Sequence, residues 1–171
     1  MLALHVEFTR FADLHVGDLF DLTAVYVIWD ARAKTRPSYL GEGVVLNRFM
    51  YHGKSDGRRL ARPFDGYIGT VDTRGLCNEK DAVRMTERLL LDVAFRTDRV
   101  PSLNTHPGHG ALVREYCSEG IVRLSVHGYD PFAHPARGAR MVGVRSVRAE
   151  RDEDEVDGYY FDDDWRQRRR S

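Results

Sequence analysis

Residues 23–52 read TAVYVIWDARAKTRPSYLGEGVVLNRFMYH, and the fold prediction starts from this stretch. Residues 23–29 are apolar, β-branched or aromatic, which is typical of a buried strand. The polar segment that follows ends at Pro37 and predicts a hairpin-like connection to a short second strand at 38–41. Residues 43–53 then favour a helix whose inward face holds Val45 and Phe49, with Leu46 as a further candidate. The stretch therefore predicts two neighbouring strands followed at once by a helix.

Similar signals predict the elements on either side of a polar loop and further along the chain. We expect a third strand at 65–71, a helix at 78–97 with Asn78 as its N-cap, and further strands at 121–127 and 141–147. From about residue 150 the composition becomes highly charged. The order β-β-α-β-α followed by a β-rich extension predicts an α+β protein.

The formal net charge of zero hides two unlike parts of the chain. The 171 residues include 26 Lys and Arg against 26 Asp and Glu. Residues 149–171 hold nine of the acidic and five of the basic residues, so residues 1–148 have a net charge of +4. A total of zero therefore does not exclude a nucleic-acid partner. Arginine is 23 of the 26 basic residues and suits bidentate phosphate contacts, although a GC-rich coding sequence would explain most of the bias.

Composition and cysteine usage place the chain among globular proteins of a reducing compartment. Hydrophobic residues are 42% and charged residues 30% of a chain long enough to bury a core. Cys77 and Cys117 form no CxxC pair and no disulfide framework, so a cytoplasmic location is expected. The longest apolar run, 22–29, is far shorter than a membrane span, and no signal-peptide pattern is present, so no membrane partner is expected.

Six polar or phenolic side chains stand at positions that suggest chemistry, namely Tyr26, Tyr39, Arg48, His52, Glu87 and Asn104. Arg48 and His52 are four residues apart in a predicted helix and share one of its faces. Glu87 lies among apolar residues of the next helix, where a carboxylate is costly unless a cation or metal ion compensates its charge. Taken singly, each has a structural explanation, such as strand packing for the tyrosines or an ion pair with Arg84 for Glu87.

In this order the residues resemble the motifs of the GIY-YIG nuclease family. Ala-Val-Tyr at 24–26 stands where the family has GIY, and Tyr-Leu-Gly at 39–41 stands where it has YIG. Alanine replaces the first glycine and leucine replaces isoleucine. A literal Tyr-Ile-Gly at 67–69 is rejected because no Arg-x-x-x-His helix follows it at the right distance.

The rest of the resemblance lies in two helices and the segment after them. Arg48 and His52 match the catalytic arginine and a histidine four residues on, and Glu87 lies where the family carries its metal-binding glutamate. Pro-Ser-Leu-Asn at 101–104 matches a Pro-x-x-Asn segment. The resemblance spans about residues 22–105.

The resemblance implies a nuclease core with additions. The core, residues 1–105, would be a small three-stranded antiparallel sheet flanked by helices. A β-rich extension at 106–149 and a charged tail at 150–171 would follow it. The extension is the only candidate specificity element, because no separate reading module is evident and its arginines could track a DNA backbone. These arginines are Arg137, Arg140, Arg145 and Arg148.

The activity that the resemblance implies is divalent-metal-dependent hydrolysis of DNA phosphodiesters. Glu87 would hold one Mg²⁺ or Mn²⁺ ion, and Arg48 would bind the scissile phosphate. Tyr26 is the candidate general base, which requires nearby cations because a phenol has an ordinary pKa near 10. Tyr39 and His52 would orient water or phosphate.

Asn104 would organise the site by hydrogen bonding. The expected partner is double-stranded DNA, cut in restriction, defence or mobile-element function, with a homodimer or sequential nicks needed to break both strands.

Three other interpretations stay open at the level of sequence. A non-catalytic module on the same scaffold could bind nucleic acid or protein. His106 and His109, with Cys117 or His134, could hold zinc in an unrelated α+β enzyme, although the spacing matches no closed zinc site. The acidic, aromatic tail could cover a basic groove by mimicking nucleic acid, or it could be a solvated terminus.

Overall fold

A computed structural model describes residues 2–54, 60–72, 78–104, 122–137, 145–150 and 158–161. These described ranges contain seven strands, β1 (Leu2–Arg10), β2 (Thr23–Trp29), β3 (Tyr39–Val44), β4 (Asp65–Asp72), β5 (Val122–Gly128), β6 (Arg145–Glu150) and β7 (Gly158–Phe161). The same ranges contain two helices, α1 (Val45–Lys54) after β3 and α2 (Glu79–Arg96) after β4. Short 3-10 turns occur at Phe11–Asp13, Val16–Leu19 and Pro135–Arg137.

The strands form one mixed sheet in the order β3-β2-β4-β1-β5-β6-β7. Neighbours pair antiparallel except β1 and β5, which are parallel. The α+β class is confirmed. The expected sheet of three antiparallel strands is wrong in extent: β3-β2-β4 has that arrangement, but β1 pairs with β4 and brings β5 and its neighbours into the same sheet.

Strand β1 is one of two described strands that the sequence-based prediction missed, the other being β7. The residues of β1 alternate, with Leu4, Val6 and Phe8 buried and His5 and Glu7 exposed, which is the pattern of a half-buried strand. The alternation is a local signal of β1, but the predicted elements begin at residue 23. Its parallel pairing with β5, from the predicted extension, joins residues far apart in the chain and leaves no local signature.

Helix α2 covers one face of the sheet and begins where its cap predicts. The side chain of Asn78 accepts a hydrogen bond from the backbone N–H of Lys80 at 3.0 Å, and Glu79 and Asp81 place negative charge in the first turn. Its apolar residues pack in one core cluster with strand residues such as Phe8 and Val27. Burying each aliphatic side chain of this cluster stabilises the fold by about 1.5–3 kcal/mol before the entropy of ordering it is counted.

A second apolar cluster forms on the other face of β2, β3 and β4, where α1 packs. It contains Tyr26, Ile28 and Ile68 from the sheet and Val45 and Phe49 from α1. The inward positions expected for the first helix, Val45 and Phe49, are confirmed. The sheet is therefore enclosed on both faces at β2, and β3 lies at one edge of it.

Several predicted features fall outside the described residues. These are the zinc candidates His106, His109 and Cys117, the cysteine Cys77, Arg140, and the tail except for β7. The side chains of His52, Arg137, Arg145 and Arg148 also lie outside that part. Neither of the two helices in the described chain has the length and apolar character that crossing a membrane requires.

Candidate active site

Two glycines of the edge strand β3 make room for the tyrosines of the candidate site. Gly41 is the cross-strand partner of Tyr26. A Cβ atom at Gly41 would lie 2.6 Å from Cε1 of Tyr39 and 2.8 Å from the hydroxyl oxygen of Tyr26. Any larger residue would displace one of the rings. The two rings are neighbours, with centroids 6.1 Å apart. Gly41 thus serves as the platform on which both phenols lie.

The second glycine, Gly43, accommodates Arg48 in the same way. A Cβ atom there would lie 3.1 Å from Nε of Arg48. The φ of Gly43 is +128°, a backbone conformation that disfavours any side chain. Because residues two apart in a strand face the same side, the Tyr26 hydroxyl and the Arg48 guanidinium lie over neighbouring positions of one face of β3.

Aromatic packing limits the movement of Tyr26. Its ring meets that of Phe49 edge-on, with centroids 5.5 Å apart, and the residue is 1% exposed. Phe49 follows Arg48 in α1, so the same helix that supplies the guanidinium also supports the phenol. Edge-to-face contacts of this kind contribute roughly 0.5–1.5 kcal/mol beyond area burial. The aromatic contact holds the Tyr26 ring against Gly41.

Glu87 approaches the site from helix α2, which packs on the opposite face of the sheet. Its side chain is 14% exposed, and Oε2 lies 3.8 Å from Nε of Arg88. On β3, Glu42 lies between the two glycines, and its Oε1 is 3.9 Å from Nε of Arg84. The carboxylates of Glu87 and Glu42 are close enough that Glu42 raises the pKa of Glu87.

Burial is the largest influence on Glu87 and raises its pKa to about 7. Arg88, Arg84 and Arg48 favour the charged carboxylate and lower this pKa, whereas Glu42 raises it. The three arginines do not offset the loss of solvation. A carboxylate in this condition would gain stability from further positive charge. The sequence-based expectation that Glu87 needs a cation therefore has a physical basis in its surroundings.

Four neighbouring groups affect the pKa of Tyr26, namely Tyr39, Arg48, Glu87 and Glu42. Burial raises its pKa well above the ordinary value, and Tyr39, Glu87 and Glu42 raise it further, whereas Arg48 lowers it. These four groups act on one phenol, so three of the other predicted site residues lie in its neighbourhood. The neutral phenol is the form that these surroundings favour. Service as a general base would require positive charge beyond that of Arg48.

Asn104 secures β3 from its open side. Its amide oxygen accepts a hydrogen bond from the Leu40 N–H at 2.8 Å, and its amide nitrogen donates to the Leu40 carbonyl at 2.9 Å. The side chain thus pairs with the backbone as a neighbouring strand would. The turn that presents it is closed by the Asn104 N–H donating to the Pro101 carbonyl at 3.1 Å. The contacts fit the expected organising role.

The remaining predicted residues and ligands are less informative. The backbone of His52 belongs to α1, but its side chain lies outside the described part. Among the described residues, no group of three or more His, Cys, Asp or Glu side chains is placed to hold a metal ion. His134 accepts a hydrogen bond from the Ala136 N–H at 3.2 Å and stacks edge-on against Trp29.

Sequence reasoning did not single out Glu42. The Gly-Glu-Gly segment at 41–43 lacks the other residues of a phosphate-loop fingerprint and so did not indicate a site. A usable signal was present, because a carboxylate flanked by two glycines in a short strand predicts an exposed edge with close backbone approach. The consequence, proximity to Glu87, depends on how α2 packs and is visible only in the structure.

No protein-family model matches this chain, and no curated protein or solved structure matches it significantly. The function proposed below accordingly depends on the geometry of the site and on the motifs of the sequence.

Proposed function

We propose that the protein is a divalent-metal-dependent DNA endonuclease of the GIY-YIG type. The observation that carries the proposal is that Tyr26, Tyr39 and Arg48 lie over the glycines of β3, with Glu87 near enough to raise the pKa of Tyr26. These are the residues that the sequence motifs select. They come from two strands and two helices.

The arrangement of elements supports the same proposal. The strand with the first motif lies between β3, which carries the second, and β4. The helix with Arg48 begins directly after β3, and the helix with Glu87 follows β4. The antiparallel β3-β2-β4 unit with these two helices is the core that the resemblance implies, here extended by further strands.

Phosphate binding is the role proposed for Arg48. Its guanidinium lies over Gly43 at the edge of the sheet, where a phosphodiester can approach without meeting a side chain on the strand. A guanidinium offers paired N–H donors to phosphate oxygens and stabilises negative charge as the phosphorus centre is attacked. Because Arg48 is exposed, a substrate can reach it in the folded protein.

Hydrolysis requires water to attack phosphorus while the P–O bond to the leaving oxygen breaks and that oxygen gains a proton. Tyr26, neutral in its surroundings, would orient the attacking water by hydrogen bonding, and Tyr39 lies beside it to assist. Glu87 would hold the divalent ion, which supplies charge neutralisation and lowers the pKa of water when bound. The raised pKa of Glu87 fits this role because a cation compensates the buried carboxylate.

A plasmid assay tests the proposal directly. Supercoiled plasmid is incubated with the full chain in Mg²⁺, Mn²⁺ or chelator, next to Glu87→Gln and the exposed control Glu79→Gln. We expect metal-dependent nicking or linearisation by the wild type and by Glu79→Gln, and a loss of at least about 1,000-fold in Glu87→Gln. Cleavage by Glu87→Gln at the wild-type rate would refute the assignment. DNA binding with no cleavage under any metal would favour the non-catalytic module.

A further inference from the structure

A second polar feature of the molecule is a cleft at the connection between β2 and β3. It has a volume of about 410 Å³, and Ser102 and Leu103 form its far wall. Three cations line it, Arg32, Lys34 and Arg36, against one carboxylate, Asp30. We call it the hairpin cleft. It is separate from the glycine platform of β3.

The hairpin cleft is preformed by a buried carboxylate. Asp30 is 6% exposed and accepts hydrogen bonds from the Ala61 N–H at 2.9 Å and from the Arg32 N–H at 3.0 Å. The Arg32 guanidinium adds a contact of 3.0 Å to the same carboxylate. Burial raises the pKa of Asp30, but these hydrogen bonds outweigh burial and hold it below its usual range. Asp30 therefore keeps the connection folded and Arg32 in place.

The far wall of the cleft is attached to the connection by its backbone. The Ser102 N–H donates to the Pro37 carbonyl at 3.0 Å, and the Leu103 N–H donates to the Ser38 carbonyl at 2.9 Å. These bonds continue into the Asn104 contacts with Leu40. The cleft and the candidate active site are thus built on the same segment of chain.

The chemistry of the lining selects an anion. Lys34 and Arg36 are exposed and form no ion pair within the described part of the chain. The hydroxyl group of Thr35 adds a hydrogen-bond donor, whereas the hydroxyls of Ser38 and Ser102 donate to the Asp30 carboxylate and the Ser38 carbonyl. The described lining includes no aromatic side chain on which a nucleobase would stack. Phosphate is the group that matches cations and hydroxyls without a stacking surface.

We propose that the hairpin cleft binds a backbone phosphate of the DNA strand to one side of the scissile phosphodiester, an inference that rests on the proposed nuclease function. Ser38 precedes Gly43, over which the Arg48 guanidinium lies, by five residues in extended chain, a separation of about 17 Å. Because a DNA strand winds around its axis, its neighbouring phosphates lie farther apart than the axial step of about 3.4 Å, and this separation corresponds to about three nucleotides of one strand. A strand whose phosphate lies at Arg48 can therefore place another at the cleft.

Salt-dependent binding tests the cleft apart from cleavage. Binding of a labelled duplex oligonucleotide is measured by fluorescence anisotropy over a KCl series in chelator, with Glu87→Gln as the parent. The double variant Lys34→Ala/Arg36→Ala is compared with Lys80→Ala/Arg123→Ala, which removes two exposed cations elsewhere. We expect about tenfold weaker binding and a slope of log K against log salt lower by about 1–2 in the cleft variant, and less than threefold weakening in the control.

Equal losses in the two double variants would overturn the proposal, because net charge alone would then explain binding. A free-phosphate site would appear as thermal stabilisation of the parent by inorganic phosphate that the cleft variant loses while DNA affinity stays unchanged, and this too would overturn it. A cleft variant with a reduced slope supports the cleft even if the wild type fails to cut plasmid. If the wild type cleaves plasmid but the cleft variant has the same slope of log K against log salt as its parent, the phosphate site is refuted and the proposed nuclease function stands.

Discussion

At two places in the described sheet, an aromatic ring packs over a glycine of the neighbouring strand, and the two rings differ in their surroundings. At its centre, Phe8 of β1 lies over its cross-strand partner Gly69 of β4, where an added Cβ would be 2.6 Å from Cε1 of Phe8. At its edge, Tyr26 of β2 lies over Gly41 of β3 at almost the same closeness. In both, a missing side chain allows a ring to lie flat on a strand.

The difference lies in what surrounds each ring. Phe8 belongs to the core cluster that α2 covers, and it packs there with apolar side chains. The phenol of Tyr26 experiences the charges of Arg48, Glu87 and Glu42. The Tyr26 ring therefore combines core packing with a polar group among charged residues, whereas the Phe8 ring only packs in the core.

Tyr67 gives a second contrast because it is as buried as Tyr26 and lies on the neighbouring strand. Its hydroxyl donates to the Ala133 carbonyl at 2.8 Å, and burial raises its pKa. This tyrosine of the literal Tyr-Ile-Gly belongs to the α2 core cluster. A tyrosine can thus be required by the core or by the site, and only its surroundings distinguish the two cases.

Apart from the loss expected for Glu87→Gln, the largest effect should come from removing the hydroxyl of each of these tyrosines. Tyr26→Phe removes the group proposed to orient water, so we expect plasmid cleavage to fall at least about 100-fold with little loss of stability. Tyr67→Phe leaves the Ala133 carbonyl without its partner and should lower the free energy of unfolding by about 1–3 kcal/mol, with cleavage retained. Cleavage rates and urea unfolding measure both. If Tyr26→Phe mainly lowered stability and Tyr67→Phe mainly slowed cleavage, the roles proposed for these two tyrosines would be wrong.

Glu87 should make the edge region sensitive to pH. Its folded-state pKa of about 7 exceeds the ordinary value, so the folded protein binds more protons than the unfolded chain between pH 4.5 and 7. The free energy of unfolding should therefore fall across that window by roughly 2–3 kcal/mol because of this group. Urea unfolding of the wild type and Glu87→Gln at several pH values tests this. A Glu87→Gln protein with the same decline would contradict it, and Glu79→Gln should behave as the wild type.

Replacing Gly41 or Gly69 with alanine distinguishes a glycine of the candidate site from a glycine of the core. Gly69→Ala forces a methyl group against Phe8 and Val6 and should lower the free energy of unfolding by about 1–3 kcal/mol while the remaining folded protein cleaves normally. Gly41→Ala presses on Tyr39, which is only partly buried and can turn outward. We expect a smaller loss of stability and roughly tenfold slower cleavage. If the Gly41 variant kept full activity, the platform would have no catalytic importance.

The smallest effect is expected at Asn104. Alanine there leaves the N–H and carbonyl of Leu40 without their side-chain partner, but the edge is open to water, so we expect a loss of about 1 kcal/mol in unfolding free energy. Cleavage should fall severalfold, because β3 loses its outer support. Asn47→Ala, at an exposed position of α1, is the control. Equal stability of the two variants would show that Asn104 does not secure the strand.

Local patterns were sufficient for most elements of this chain. The β2 strand, the hairpin, the α2 cap at Asn78 and the inward positions of α1 follow from side-chain periodicity and capping chemistry. The end of β3 extends beyond its predicted limit because Glu42 and Gly43 pair with β2 despite their low strand preference. The strand predicted at 141–147 is described from Arg145 onward, and β6 continues past the predicted end to Glu150. Strand β7 lies in a segment whose charge suggested no strand.

By itself, the sequence determined the elements in which Tyr26, Arg48 and Glu87 lie, because the local side-chain pattern predicted the strand and the two helices that hold them. Only the tertiary structure decided that Glu42 stands beside Glu87, that two glycines support the phenol and the guanidinium, and that β1 joins β4 to β5. The reason is physical. Local propensity acts over a few residues, whereas pKa values and parallel pairing depend on groups that meet only when distant segments pack.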